Sequence, residues 1–155
     1  MIRVLFVCLG NICRSPMAEA VFLQLVAQAG LESRIEVDSA GTGNWHIGHA
    51  PHLGTLDVLQ RNGVPVESRA RQVRLDDLSS FDYLITMDER NTRDVLELSA
   101  SAPRAHVARL LDFVPGANDK NVPDPYFSGD FDGVYTLVST GCARLLEHIR
   151  REQEI

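Results

Sequence analysis

Cys8 and Arg14 flank a five-residue run, Leu9-Gly10-Asn11-Ile12-Cys13, and Ser15-Pro16 follows directly. A thiol, a short loop, an arginine and a helix start form a set suited to an oxyanion. Successive backbone N–H groups of a tight loop point inward as a nest. The first turn of the helix adds unpaired donors and the positive end of its dipole. Gly10 and Asn11 are residue types that tolerate left-handed backbone. Arg14 offers a planar fork to two phosphate oxygens. A helix N-terminus and a nearby cation also favour the thiolate. Cys8 is therefore expected to be ionised at neutral pH and ready to attack phosphorus, with the Ser15 hydroxyl steadying it as a leaving group.

Such an attack needs a proton for the departing oxygen. Asp124, in Val122-Pro123-Asp124-Pro125-Tyr126, is the candidate. Two prolines restrict its backbone, and burial beside a thiolate and a phosphate would favour its acid form. The same carboxylate would then activate water in a second step. Nucleophile, clamp and amide nest supply the charge stabilisation themselves, so no metal or other cofactor is expected.

The elements that must position these groups alternate. Strands are expected at Arg3 to Cys8, Ile35 to Ala40, Asp82 to Met87 and His106 to Leu111. Helices are expected from a Ser15 cap with Pro16 at the first position to about Gly30, from Pro51 to Asn62-Gly63, and from Asp88 to about Ser99. A short helical turn is expected over Leu75 to Ser80, and a last helix from about Asp130 to Arg151. A long Pro/Gly/Asp-rich loop joins Asp112 to Gly129. This pattern reads as one α/β domain over residues 1–155: a four-stranded parallel sheet with helices on both faces. Ligands in such sheets lie beyond the carboxyl ends of the strands, which is where Cys8 falls.

The chain has 155 residues, 45% hydrophobic and 23% charged, enough for one domain to fold without a metal or disulfide staple. Its net charge of −6 disfavours a nucleic-acid partner. It carries no apolar run long enough to span a membrane and no leader-like N-terminus. Cysteines at 8, 13 and 142, an odd number, argue against a secreted disulfide framework and for a reducing, cytoplasmic setting.

Together, CLGNICRSP at 8–16, DSAGT at 38–42, MDERN at 87–91 and DPY at 124–126 resemble the low-molecular-weight protein tyrosine phosphatases. The match runs through the whole chain in order. The resemblance implies a cysteinyl-phosphate intermediate and phosphotyrosine-containing proteins as substrates. It makes Cys8 nucleophile, Arg14 clamp and Asp124 acid. Asn11, Ser15 and Ser39 fall where the family supports its phosphate loop, which also includes Gly10 and Cys13. Leu9, Ile12, Trp45 and Tyr126 fall where it lines the slot for the substrate ring. It further implies that Cys8 and Cys13 can pair as a protective disulfide. Two departures stand out. Many members carry His just before a K/R-A-R-Q stretch, bracing the loop asparagine, where this chain has Ser68. Some have two tyrosines after Asp-Pro, where this chain has Tyr126-Phe127. A monomer, or weak self-association, is expected.

Blander readings compete. A lone cysteine ending a strand is usually a small core residue, and Asp124 alone is an ordinary turn residue; only their company promotes them. Cys142 reads as core. His46, His49 and His52 have a regular spacing but no acidic or thiol companion, so loop histidines outweigh a metal site. Arg69, Arg71 and Arg74 form a solvated basic stretch, or a holder for acidic substrate segments. Three other functions share the anion loop. An arsenate reductase needs a cysteine relay, for which only Cys13 and Cys142 remain. A protein arginine phosphatase is expected to have a smaller polar residue at position 12. A phosphate-binding module has no use for Cys8 or Asp124.

Overall fold

The computed structural model describes residues 1–99 and 101–155. Strands β1 (Ile2–Cys8), β2 (Ile35–Gly41), β3 (Tyr83–Thr86) and β4 (His106–Arg109) form one all-parallel sheet in the order β2-β1-β3-β4. Helices are α1 (Arg14–Gln28), α2 (Leu53–Arg61), α3 (Asp77–Ser80), α4 (Glu89–Leu96), α5 (Pro125–Ser128) and α6 (Phe131–Gln153). No helix among the described residues is long and apolar enough to cross a membrane.

The sheet is covered on both faces, and β1 explains why. Side chains alternate along a strand. Val4, Phe6 and Cys8 join a core made with α1, α2 and α6. Leu5 and Val7 join a smaller core with Leu78 of α3 and Val95 of α4. A strand buried on both sides must be apolar throughout, and RVLFVC is, apart from its entry residue.

Several boundaries differ from the sequence-based expectation. Helix α1 begins at Arg14, with Cys13 as its cap residue, so Ser15 and Pro16 are its second and third residues. Proline is tolerated there because first-turn N–H groups have no intrahelical partner. Ser15 is thereby released from capping and faces Cys8 instead. Helix α2 starts at Leu53, capped by the His52 ring, whose Nδ1 accepts from the Gly54 N–H at 3.0 Å. Strand β3 is shorter at both ends, and α4 stops at Leu96, followed by turn bonds. Strand β4 ends at Arg109, where Asp112 accepts from the Arg109 N–H at 2.9 Å and the chain coils into a 3₁₀ turn over Leu110–Phe113. The expected long loop contains the extra helix α5, capped by Asp124 and ended by Gly129 at φ 74°.

Candidate active site

Strand β1 delivers Cys8 to the carboxyl edge of the sheet, and α1 begins six residues later at Arg14. Between them the chain turns through Asn11, the left-handed residue of the loop at φ 56°. Gly10 does not share that conformation. Its missing side chain serves a close approach instead, since a Cβ there would lie 3.1 Å from His46 Cδ2. Gly41 at the end of β2 is tighter still, with a would-be Cβ 2.8 Å from the Leu9 carbonyl oxygen.

Buried polar groups hold the loop in this shape. Asn11 Nδ2 donates to Ser15 Oγ at 2.8 Å and to Ser39 Oγ at 3.0 Å, while Asn11 Oδ1 accepts from the Arg71 N–H at 3.0 Å. Ser39 Oγ donates to Glu19 Oε1 at 2.5 Å, and Ser68 Oγ donates to the same oxygen at 3.2 Å. Ser68 therefore does not brace Asn11 directly; it acts one link away, through Glu19 and Ser39. Burial raises the pKa of Glu19, against the hydrogen bonds of Ser39 and Ser68. Thr55 of α2 caps the arrangement from outside, donating to the Cys13 carbonyl at 3.1 Å.

Cys8 Sγ lies 3.0 Å from Ser15 Oγ. Arg14 is 2% exposed. Its Nη1 donates to Asp88 at 2.6 Å and to the Val122 carbonyl at 2.9 Å, and its Nη2 reaches Asp124 at 3.5 Å. Its Nε is buried and bonded to no protein group among the described residues. Burial pulls the Arg14 pKa down, but Cys8, Asp88 and Asp124 outweigh it, and the guanidinium stays charged. Cys13 is different: burial first, then the charges of Cys8 and Asp124, push its thiol up to about 12. The Cys13 side chain is thus held as a thiol.

A cleft of about 480 Å³ opens over the loop. Cys8, Leu9, Gly10, Ile12 and Cys13 line it from one side, and Trp45, His46, Asp124, Tyr126 and Phe127 from the other. Asp124 is placed by its role at the start of α5, where its Oδ1 accepts from the Tyr126 N–H at 3.1 Å. Asn11, Ser15 and Ser39 lie behind the loop, and Arg14 beside it. Cys142 is fully buried and bonded to the Ala18 carbonyl at 3.6 Å, in the core between α1 and α6.

Arg71 and His52 differ from expectation. Arg71 is not a free basic group, because Asp38 and Asp77 hold its guanidinium at 3.1 and 3.0 Å. His52 caps α2 and stacks on Phe131 at 5.0 Å between ring centroids. Among the described residues, His46, His49 and His52 do not gather their ligand atoms as a metal requires. Sequence reasoning missed Glu19, Thr55, His46, Phe127, the Val122 carbonyl and the pairing of Asp88 with Arg14. Glu19 had a readable signal: it is the one charged side chain in the otherwise uncharged run Ser15 to Ala29.

The family model described as "Low molecular weight phosphotyrosine protein phosphatase" matches residues 3–155. The low molecular weight protein-tyrosine-phosphatase YfkJ of Bacillus subtilis is 49% identical over 156 residues, all of both chains. A low molecular weight phosphotyrosine protein phosphatase of Schizosaccharomyces pombe is 46% identical over 129 residues, 83% of each chain. The crystal structure of YfkJ superposes with a TM-score of 0.96 at 50% identity, covering 98% of this chain and 96% of that one. The crystal structure of DARP, a drosophila arginine phosphatase, gives 0.89 at 32% identity, covering 95% and 97%. With a model match along nearly its whole length, this chain belongs to the low-molecular-weight protein tyrosine phosphatase family.

Proposed function

We propose that this chain is a protein tyrosine phosphatase working through a cysteinyl-phosphate intermediate. One observation carries the reading: the buried Arg14 guanidinium lies beside the Cys8 loop, tied to Asp88 on one arm and within 3.5 Å of Asp124 on another. In the first step Cys8 Sγ attacks phosphorus and an S–P bond forms. The P–O bond to the phenol breaks, and Asp124 gives its proton to the departing oxygen. Arg14 and the loop N–H groups hold the equatorial oxygens as charge shifts between them. The unpartnered Arg14 Nε is a donor available for this. In the second step Asp124 takes a proton from water, which attacks phosphorus. The S–P bond breaks, its electron pair returns to Cys8 Sγ, and inorganic phosphate leaves. Ser15, 3.0 Å from that sulfur, donates to the departing thiolate.

The carbon-rich walls, Leu9, Ile12, Trp45, Tyr126 and Phe127, suit a flat aromatic ring. The likeness to an arginine phosphatase keeps a second reading in view. Ile12 counts against it, because an apolar wall leaves a guanidinium without partners. Arsenate reduction is disfavoured because Cys142 lies in the core, away from any relay. The enzyme acts as one domain in the cytoplasm on phosphotyrosine in proteins, as a monomer or with weak self-association.

The test is phosphate release from a phosphotyrosine peptide in EDTA by wild type, Cys8→Ser and Asp124→Ala. Turnover should vanish in Cys8→Ser and fall by ~10²–10⁴-fold in Asp124→Ala. An active Cys8→Ser enzyme would sink the mechanism. A wild type active on phosphoarginine and inert on phosphotyrosine would transfer the reading to the second substrate.

A further inference from the structure

At the opposite end of the sheet from Cys8, three metal-type side chains converge. His106 opens β4, while His148 and Glu152 stand one turn apart on α6. One ligand atom from each lies within 4.8 Å of the other two. Ligands around a tetrahedral ion with bonds of ~2.0–2.1 Å sit ~3.3 Å apart, and His148 Nε2 and Glu152 Oε2 already lie 3.4 Å from one another. Nothing in the phosphatase mechanism uses these residues.

Two further observations point to a ligand. His148 Nε2 is shielded from solvent and hydrogen-bonded to no protein group among the described residues, although Glu152 Oε2 is 3.4 Å away. The carboxylate is also pre-oriented. The buried Tyr83 hydroxyl donates to Glu152 Oε1 and accepts from Gln153 Nε2 at 3.1 Å. That bond fixes one carboxylate oxygen and turns the other toward the imidazoles, as outer-shell partners of metal ligands do. Phe113 packs on the His148 ring at 4.9 Å between centroids, and lies 6.3 Å from the His106 ring. Arg144 and Arg151 line the neighbouring hollow, together with Asp112 and Glu147. Arg144 is paired with Glu147 at 3.0 Å, which offsets its repulsion.

We propose that His106, His148 and Glu152 bind a divalent transition-metal ion of the zinc class, with solvent completing its coordination. Two neutral imidazoles and one carboxylate are a donor set suited to zinc and poorly suited to magnesium or calcium. The ion would tie the C-terminal end of α6 to the edge strand, and so adds stability rather than chemistry. Tyr83 pairs with Val4, four residues before Cys8. At ~3.3 Å per residue the two sites are ~13 Å apart along the strand direction, so the phosphatase site should not feel the change.

The experiment is calorimetric titration of the metal-stripped full chain with zinc at neutral pH, in wild type, His106→Ala, His148→Ala, Tyr83→Phe and Cys8→Ser. Zinc should bind wild type and Cys8→Ser alike, and at least tenfold more weakly to each histidine variant. Tyr83→Phe should lose ~10–100-fold. Thermal midpoints without metal check that each variant folds, and zinc should raise the midpoint of wild type and not that of His148→Ala. Phosphatase activity of metal-free His148→Ala should equal wild type. No saturable binding at millimolar zinc would overturn the proposal and leave His148–Glu152 as an ordinary helical ion pair. Binding that disappears in Cys8→Ser yet persists in His148→Ala would also overturn it, assigning the zinc to the thiols of the phosphate loop.

Discussion

The loops after β1 and after β4 meet at one cleft but are held in contrasting ways. From Asn11 to Ser15 every residue is buried, and the Asn11 side chain alone makes three hydrogen bonds. The later loop is largely exposed between Pro115 and Asn121. It is pinned near its end, where the Val122 N–H donates to the Met87 carbonyl at 2.8 Å and Asn121 Oδ1 accepts from the Glu89 N–H at 3.0 Å. Beyond that pin, Asp124 is fixed chiefly by capping a four-residue helix. The difference matches the duties proposed for each. Donors that stabilise charge work best when fixed in advance. A group that gives and takes a proton must meet both substrate and water.

The contrast predicts different failures. On the acid side, Asp124→Ala should lower kcat on phosphotyrosine by ~10²–10⁴-fold. The deficit in kcat/KM should shrink steadily as the leaving phenol becomes more acidic, because such a leaving group needs less protonation. Measuring kcat/KM, which reports the first step without the later attack of water, across aryl phosphates of graded phenol pKa checks this. An equal deficit on every ester would mean that Asp124 positions the substrate rather than protonating it. Stability should change little, by the ~0.5–2 kcal/mol of a lost helix cap.

On the cradle side, the larger effect should be on folding. Asn11→Gly keeps the left-handed backbone accessible but removes three hydrogen bonds from buried partners. A loss of ~1–3 kcal/mol is expected for each group left unmet. Asn11→Ala should cost a further ~1–2 kcal/mol, because alanine resists φ 56°. Urea unfolding of both variants separates the two contributions. Equal stabilities would show that the loop relaxes out of the left-handed conformation once its side-chain bonds are gone.

The two regions also differed in how far the sequence revealed them. Local signals exposed the first loop: an apolar strand, a thiol, a glycine-asparagine turn and a helix start lie within fifteen residues. What it missed there was long-range. Asp88 is legible as a helix cap, since its Oδ1 accepts from the Asn91 N–H at 2.8 Å. That its other oxygen holds Arg14, 74 residues away, is set by β1 and β3 lying side by side. Arg71 likewise looked solvated because its partners, Asp38 and Asp77, belong to separate elements. The second loop hid its helix α5 because four residues give no periodicity to read, and Pro125 marked a break as readily as a start. Ser15-Pro16 misled by one or two residues for a related reason: a hydroxyl before proline signals a cap, but here the thiol claims the hydroxyl.

Glu19 is where the cradle's rigidity can be tested most gently. Its carboxyl group is buried and receives hydrogen bonds from the neutral hydroxyls of Ser39 and Ser68. Burial raises its pKa above that of an exposed glutamate. The folded state therefore holds this proton more tightly than the unfolded chain does. The resulting stability is fully present below the ordinary value of ~4.3 and is lost as pH rises through the folded value. Glu19→Gln is neutral throughout and still accepts both hydroxyls through Oε1. It should match wild type near pH ~4, become the more stable of the two as pH rises, and retain kcat/KM. Denaturant midpoints over that range decide the matter. If Glu19→Gln is instead the weaker protein at neutral pH, the negative charge itself is stabilising, through Arg71, and the loop rests on an ion pair rather than on a chain of hydroxyls.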